Sequence, residues 1–295
     1  LRHLADLELA VRHQPFSEVF GTALGPRELF AVVQQARAAL ARAEVCGVVI
    51  TAGTGILEEA AYLSELLNDT GKPIVWTGAQ YAADAPDSDG PRNLRNAVRV
   101  AASPGARSCG TGGLVAFNQE VYAARDVVKL HRNNLAAFSA LDAGILARAD
   151  EDRVVWRRAV PARPVFAVDH LVTDVDLITL VAGCDDRFFR ASIAAGARGL
   201  VIEGFPGVGM ICPGVQGGVR AALDAGLCVV LSSRSPCGRM IAKYGGELGG
   251  ATLQHQGVVL GGELAPAKLR ILLMVLLAHT RDRGVVRARI EELAS

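Results

Sequence analysis

Gly47-Val48-Val49-Ile50-Thr51-Ala52-Gly53-Thr54-Gly55-Ile56-Leu57-Glu58-Glu59 holds a complete unit of architecture in thirteen residues. Gly47 to Thr51, rich in β-branched residues, reads as a strand. Ala52 to Gly55 is a turn, where two glycines relax the backbone. From Ile56 to Asn68 the apolar residues Leu57, Ala60, Leu63 and Leu67 recur at helical spacing. The unit then repeats. Pro73 to Thr77 is the next strand, Gly78 to Gly90 a long loop and Pro91 to Ala102 a helix opened by proline, followed by a strand from Leu114 to Asn118. Alternating strands and helices predict an α/β chain built on a parallel sheet, with helices on both faces.

Further along, the alternation pauses. Residues 148–164 collect Arg148, Asp150, Glu151, Asp152, Arg153, Arg157 and Arg158 and then Pro161 and Pro164, which reads as an interdomain linker. A larger domain over 1–147 and a smaller α/β domain over 165–295 are therefore expected. The second has strands at Asp176–Val181, Leu200–Glu203 and Cys228–Ser232, and helices at Asp185–Ala195, Pro213–Ala225 and Ala265–His279.

Composition narrows the partners. The chain has 295 residues, 51% of them hydrophobic, and a formal net charge of +1, so it can bury a large core and has no basic excess to suggest nucleic acid. No apolar run reaches the roughly 18 residues that span a bilayer, so no membrane partner is expected. The first residue is Leu1 and no signal peptide is visible, so a cytoplasmic location is expected, with the true start either processed away or lying upstream of a fragment. The six cysteines never occur as Cys-x-x-Cys, which removes a zinc reading, and a dense disulfide framework is unexpected at this length. Cys46 and Cys228 lie in apolar runs and read as buried fillers.

Ligands of open parallel sheets bind at the carboxyl ends of the strands. Three segments converge there: Thr51 to Glu58, Thr77 to Asn93 and Asn118 to Lys129. In the first, Thr54 is either a helix-capping threonine or a catalytic hydroxyl at a helix start that favours negative charge. A dinucleotide reading of Gly53-Thr54-Gly55 is weak, because Glu58 stands where a third glycine belongs. Lys129 is either the base such a hydroxyl requires or a surface lysine paired with Asp126. Asp89 reads as accepting N–H groups at a helix start, with Arg92 and Asn93 as candidates to face the site. His131 has no acidic relay partner and no second histidine.

Together these segments resemble the bacterial-type L-asparaginases. Thr51-Ala52-Gly53-Thr54-Gly55-Ile56-Leu57-Glu58-Glu59 is similar to that family's Thr-His-Gly-Thr-Asp-Thr-Leu-Glu-Glu run. Thr77-Gly78-Ala79-Gln80, Asp89-Gly90-Pro91-Arg92-Asn93-Leu94 and Ala124-Arg125-Asp126-Val127-Val128-Lys129 resemble its following motifs, in order. In the second domain, Ala197 to Gly204, Ser232-Ser233-Arg234 and the closing helix from Lys268 look like the family's. The resemblance implies a larger and a smaller α/β domain, hydrolysis of a small-molecule side-chain amide through an acyl-enzyme, no cofactor, no metal, and a homo-oligomer, either dimer or tetramer. Carried over by position, Thr54 matches an active-site threonine and Lys129 its lysine partner. Ala79 matches a residue whose backbone faces substrate, Gly53 and Gly55 line the pocket, and Thr22 matches a substrate-binding serine.

Four departures qualify that resemblance. The family's first active-site threonine lies in a Thr-Gly-Gly-Thr segment that this sequence does not contain. Gly55 stands where the family has the aspartate that meets the substrate ammonium. Ala52 and Ile56 replace histidine and threonine, and Met210 stands where asparagine is common. Losing a carboxylate that meets a desolvated ammonium costs roughly 2–5 kcal/mol, and Glu247 is the candidate replacement acid. The readings that follow are an amidohydrolase for a substrate without a free α-ammonium, a relaxed asparaginase, and a non-catalytic relative that acts as a binding or assembly protein.

Overall fold

The computed structural model describes residues 4, 7, 9–17 and 21–294. They form two compact units, 1–165 and 166–295. In the first unit the elements are α1 (Pro26–Leu40), β1 (Val48–Thr51), α2 (Leu57–Leu67), β2 (Ile74–Thr77), α3 (Gly90–Ala102), α4 (Pro104–Ser108), β3 (Gly113–Phe117), β4 (Glu120–Ala123), β5 (Val128–Lys129), β6 (Phe138–Ser139), β7 (Ala147–Ala149) and β8 (Val154–Trp156). The six-stranded sheet runs β1-β2-β3-β4-β7-β8.

The expected α/β fold is present, but the sheet is mixed. Strands β1, β2 and β3 are parallel, and from β3 outward every pairing is antiparallel. The change of direction comes from a two-residue turn. Phe117 pairs with Glu120, and between them Asn118 and Gln119 have φ of 47° and 67°. Two consecutive positive φ values are the signature of the hairpin turn that suits strand twist. Glutamine rarely takes that angle, so the turn leaves little trace in the sequence. α1, which periodicity had not singled out, buries Leu29, Val32, Val33, Ala36 and Leu40 and packs on α2.

The first part of the charged stretch expected as a linker belongs to the sheet, and residues 157–164 lie outside any strand. Ala147–Ala149 and Val154–Trp156 pair as a hairpin on the sheet edge. Trp156 donates its indole N–H to Ser103 Oγ at 3.2 Å, and it lies so close to Gly105 that a Cβ there would sit 2.2 Å from the ring. Val160 N–H donates to Cys109 O at 2.7 Å. The charges mark the solvated side of an edge hairpin, which a linker reading cannot tell apart from a free segment.

Helices cover both faces of the sheet. Trp76 turns toward α2, where its indole donates to buried Ser64 Oγ at 2.7 Å. Its neighbour Val75 turns the other way, into a core with Ala97, Val100 and Ala101 of α3. The crossovers through α2 and α3 advance the same way across the sheet on opposite faces. They are therefore of opposite hand, and one departs from the usual right-handed rule.

The second unit contains β9 (Val175–Thr179), α5 (Arg187–Ala194), β10 (Gly199–Gly204), α6 (Gln216–Asp224), β11 (Cys228–Ser233), α7 (Gly250–His255), β12 (Val259–Leu260), α8 (Pro266–His279) and α9 (Arg283–Leu293). Its sheet, β12-β11-β10-β9, is parallel throughout. Phe189, Leu200, Ile202, Val219, Val229 and Leu231 fill one core. Leu269 and the run Ile271–Leu276 are buried in α8, and truncating one such leucine to alanine costs about 2–5 kcal/mol. Cys228 is buried as expected, while Cys46 is half-buried.

Candidate active site

Past β1 the ladder runs one bond further, Ala52 N–H donating to Thr77 O at 2.9 Å, and the chain then turns through Gly53 to Ile56 into α2. Gly78, just past β2, packs on this turn. A Cβ at Gly78 would lie 2.4 Å from Ala52 O and 3.4 Å from Thr54 Cγ2. Only glycine permits that approach, so the exits of β1 and β2 touch. Thr54 is half-buried there. It is not the helix cap: Ile56 takes that position, and no side chain caps α2.

Lys129 Nζ donates to Thr54 Oγ1 at 2.7 Å, across 75 residues of sequence. The alternative pairing with Asp126 is not found. Asp126 Oδ1 lies 3.3 Å from Arg125, and Oδ2 lies 3.8 Å from Arg158. Lys129 does not lie on the main sheet. It sits on the short β5–β6 ribbon opposite Phe138, whose ring lies 4.9 Å from that of Phe117 in β3.

Two glutamates of α2 hold the lysine segment. Glu58 Oε2 accepts from Lys129 N–H at 2.8 Å, and Glu65 Oε2 accepts from Arg125 N–H at 3.0 Å. Seven residues is two helical turns, so both carboxylates project from one side of α2, about 10 Å apart along its axis. Glu65 is buried, and burial pushes its carboxyl pKa up, against the hydrogen bonds it accepts. The helix that begins just after Thr54 thus also fixes the backbone that carries Lys129. In the sequence Glu58 shows only that no dinucleotide glycine motif is present. Its partner is 71 residues away, and no local pattern announces it.

Of the remaining predicted positions, Thr22, Gly53, Gly55 and Ala79 lie on the turns that adjoin Thr54. Thr22 lies exposed in a single 3₁₀ turn, Gly21–Ala23. Its Cγ2 is 3.6 Å from where a Cβ of Gly55 would stand, and a Cβ on Gly21 would lie 3.1 Å from the Gly53 backbone. Ala79 follows Gly78, its methyl 3.4 Å from a Cβ built on Gly90. Asp89 braces this loop, accepting from Gln80 N–H at 3.0 Å, Tyr81 N–H at 3.0 Å and Asn93 Nδ2 at 2.9 Å. Its position before α3 predicts that it accepts N–H groups at the helix start, but its carboxylate makes no such cap. Asn93 is buried, donates to Gly78 O at 3.0 Å and accepts from Asn118 N–H at 3.0 Å, tying the exits of β2 and β3. Arg92 is exposed. His131 Nδ1 accepts from Asn133 and Asn134 N–H at 3.1 and 2.8 Å. Among the described residues no group of three or more His, Cys, Asp or Glu side chains is placed to hold a metal. Glu247, in the second unit, is exposed and accepts from Gln216 Nε2 at 3.4 Å.

The profile "Asparaginase, N-terminal" matches residues 1–162, and "Glutaminase/Asparaginase C-terminal domain" matches residues 174–289. The chain belongs to the asparaginase family. The L-asparaginase of Bacillus licheniformis is 33% identical over 236 residues, 80% of this chain and 72% of that protein. L-asparaginase 2 of Escherichia coli K12 is 34% identical over 243 residues, 80% of this chain and 67% of that protein. In structure, this asparaginase-family chain is similar to the probable cytoplasmic L-asparaginase of Campylobacter jejuni. The TM-score is 0.87 at 28% identity, covering 98% of this chain and 87% of that one. Among the described residues no helix is long and apolar enough to cross a membrane.

Proposed function

We propose that the chain is an amidohydrolase in which Thr54 attacks a small-molecule amide and Lys129 serves as its base. The observation that carries this reading is the 2.7 Å contact between Lys129 Nζ and Thr54 Oγ1, which is within the reach general-base catalysis requires. In that role Lys129 Nζ takes the hydroxyl proton as Oγ1 forms a bond to the amide carbon, and the C–N bond then breaks as ammonia takes a proton and leaves. Water hydrolyses the acyl-threonine, so amide plus water become carboxylate plus ammonia. No cofactor enters. The start of α2 adjoins Thr54, and the positive end of its dipole favours the oxyanion.

Gly55 offers no carboxylate to an α-ammonium, so the proposed substrates are amides whose α-nitrogen is absent or blocked. Ammonia release from a panel of free and blocked amides tests this. Turnover of a blocked amide that disappears in Thr54→Ala supports it, and no release from any amide by folded protein refutes it. The small or apolar residues Ala52, Gly55 and Ile56 around Thr54 favour a second reading, a non-catalytic binding or assembly protein whose biological function survives Thr54→Ala. A homo-oligomer, dimer or tetramer, and a cytoplasmic location accompany the enzyme reading. Light scattering and cell fractionation check them.

A further inference from the structure

Cys184 and Cys212 face each other in the second unit, with sulfur atoms 3.2 Å apart. Cys184 lies past the end of β9 and Cys212 past the end of β10, and these are neighbouring parallel strands whose exits share one edge of the sheet. Each cysteine sits in a backbone-bonded turn. Cys184 N–H donates to Val181 O at 3.1 Å, and Cys212 O accepts from Val215 N–H at 3.2 Å. Gly214 is what lets the turns meet, because a Cβ there would stand 2.4 Å from Cys184 O. Both cysteines are half-buried rather than sealed, and neither takes part in the hydrolytic chemistry proposed above.

A disulfide has its sulfurs about 2.05 Å apart, so these thiols, 3.2 Å apart, need to approach by only about 1 Å. We propose that Cys184 and Cys212 are an oxidisable dithiol, a modification site at which a low-molecular-weight disulfide converts the pair to an internal disulfide linking the exits of β9 and β10. One cysteine thiolate attacks a sulfur of the small disulfide, whose S–S bond breaks and releases one small thiol. The second cysteine thiolate attacks the resulting mixed disulfide at the protein sulfur and releases the other. The protein loses two hydrogens and two electrons, and the small disulfide gains them as two thiols.

The test uses the full chain carrying Cys237→Ser, which removes the exposed cysteine. It is incubated with oxidised glutathione at mildly alkaline pH, then read by intact mass and peptide mapping. The expected result is a loss of two hydrogens, a peptide joining Cys184 to Cys212, and reversal by dithiothreitol. Adding Cys212→Ser abolishes the linked peptide. The proposal is overturned if both thiols stay free in protein that circular dichroism shows to be folded. A glutathione retained on either cysteine without the link overturns it equally. Neither readout depends on catalytic activity.

Discussion

Replacing Gly55 by aspartate puts a carboxylate back at the one position where its loss should govern substrate choice. The backbone admits it, since Gly55 is not among the glycines with positive φ. The space admits it too. A Cβ on Gly55 meets only Thr22 Cγ2, at 3.6 Å, an ordinary van der Waals distance. The variant should therefore fold with little change in stability. A desolvated carboxylate–ammonium pair contributes roughly 2–5 kcal/mol, which spans about 30-fold to several thousand-fold in kcat/KM at 1.4 kcal/mol per decade. Gly55 is exposed, so solvent screening places the expected gain near the lower bound, about 30-fold. The assay is ammonia release from free asparagine, with a blocked amide measured in parallel. The gain should appear for asparagine and not for the blocked amide. Folded Gly55→Asp protein with unchanged asparagine kcat/KM would refute the claim that the missing carboxylate sets specificity. An equal gain on both substrates would refute it as well.

Thr54→Ala and Lys129→Met should each lower kcat by about 10²–10⁴-fold, and the double variant should lose little more than either alone, since the pair acts as a unit. Glu58→Ala leaves the Lys129 N–H without its acceptor, at a cost of about 1–3 kcal/mol. Denaturant titration should show that loss together with a fall in kcat, and Glu58→Gln, which still presents an acceptor oxygen, should recover most of both. Glu65 has a folded-state pKa raised by burial, so above the ordinary carboxyl range the unfolded chain has released a proton that the folded chain retains. Stability from this group is therefore highest at acidic pH and declines as pH rises from the unfolded toward the folded value. Urea midpoints measured across that range should fall in the native protein and flatten in Glu65→Gln. Gly78→Ala forces a methyl against Ala52 O and should cost about 1–3 kcal/mol, with a loss of activity that Gly71→Ala, where a Cβ meets nothing within 4 Å, does not share. The Gly71 variant carries its own backbone strain at φ 69°, so activity rather than stability is the readout that separates them.

The two parts of the site were unequally legible. Thr54 and Lys129 could be named from ordered motifs, and Gly55 could be recognised as a departure by comparison with the family's run. The clamp of Glu58 and Glu65 on residues 125–129 could not. Each of those bonds joins a helix to a segment 60 or 71 residues away, and nothing in a local window distinguishes such a glutamate from a solvated one. The same holds for Asp89, whose motif suggested a cap on α3 and whose carboxylate instead gathers the amides of residues 80 and 81.

By itself the sequence determined the alternation of strand and helix, the division into a larger and a smaller α/β region, the family, and the chemical groups at the β1 and β2 exits. These are properties of residue type and short-range period, which are set within a few turns of chain. Only the tertiary structure decided that the sheet reverses direction at Asn118 and Gln119, that residues 147–156 close its edge instead of leaving it, that Lys129 reaches Thr54 from a separate ribbon, and that Cys184 meets Cys212. Each depends on which strands lie side by side. That choice is made by burial and hydrogen bonding across the whole sheet, where partners distant in sequence become neighbours.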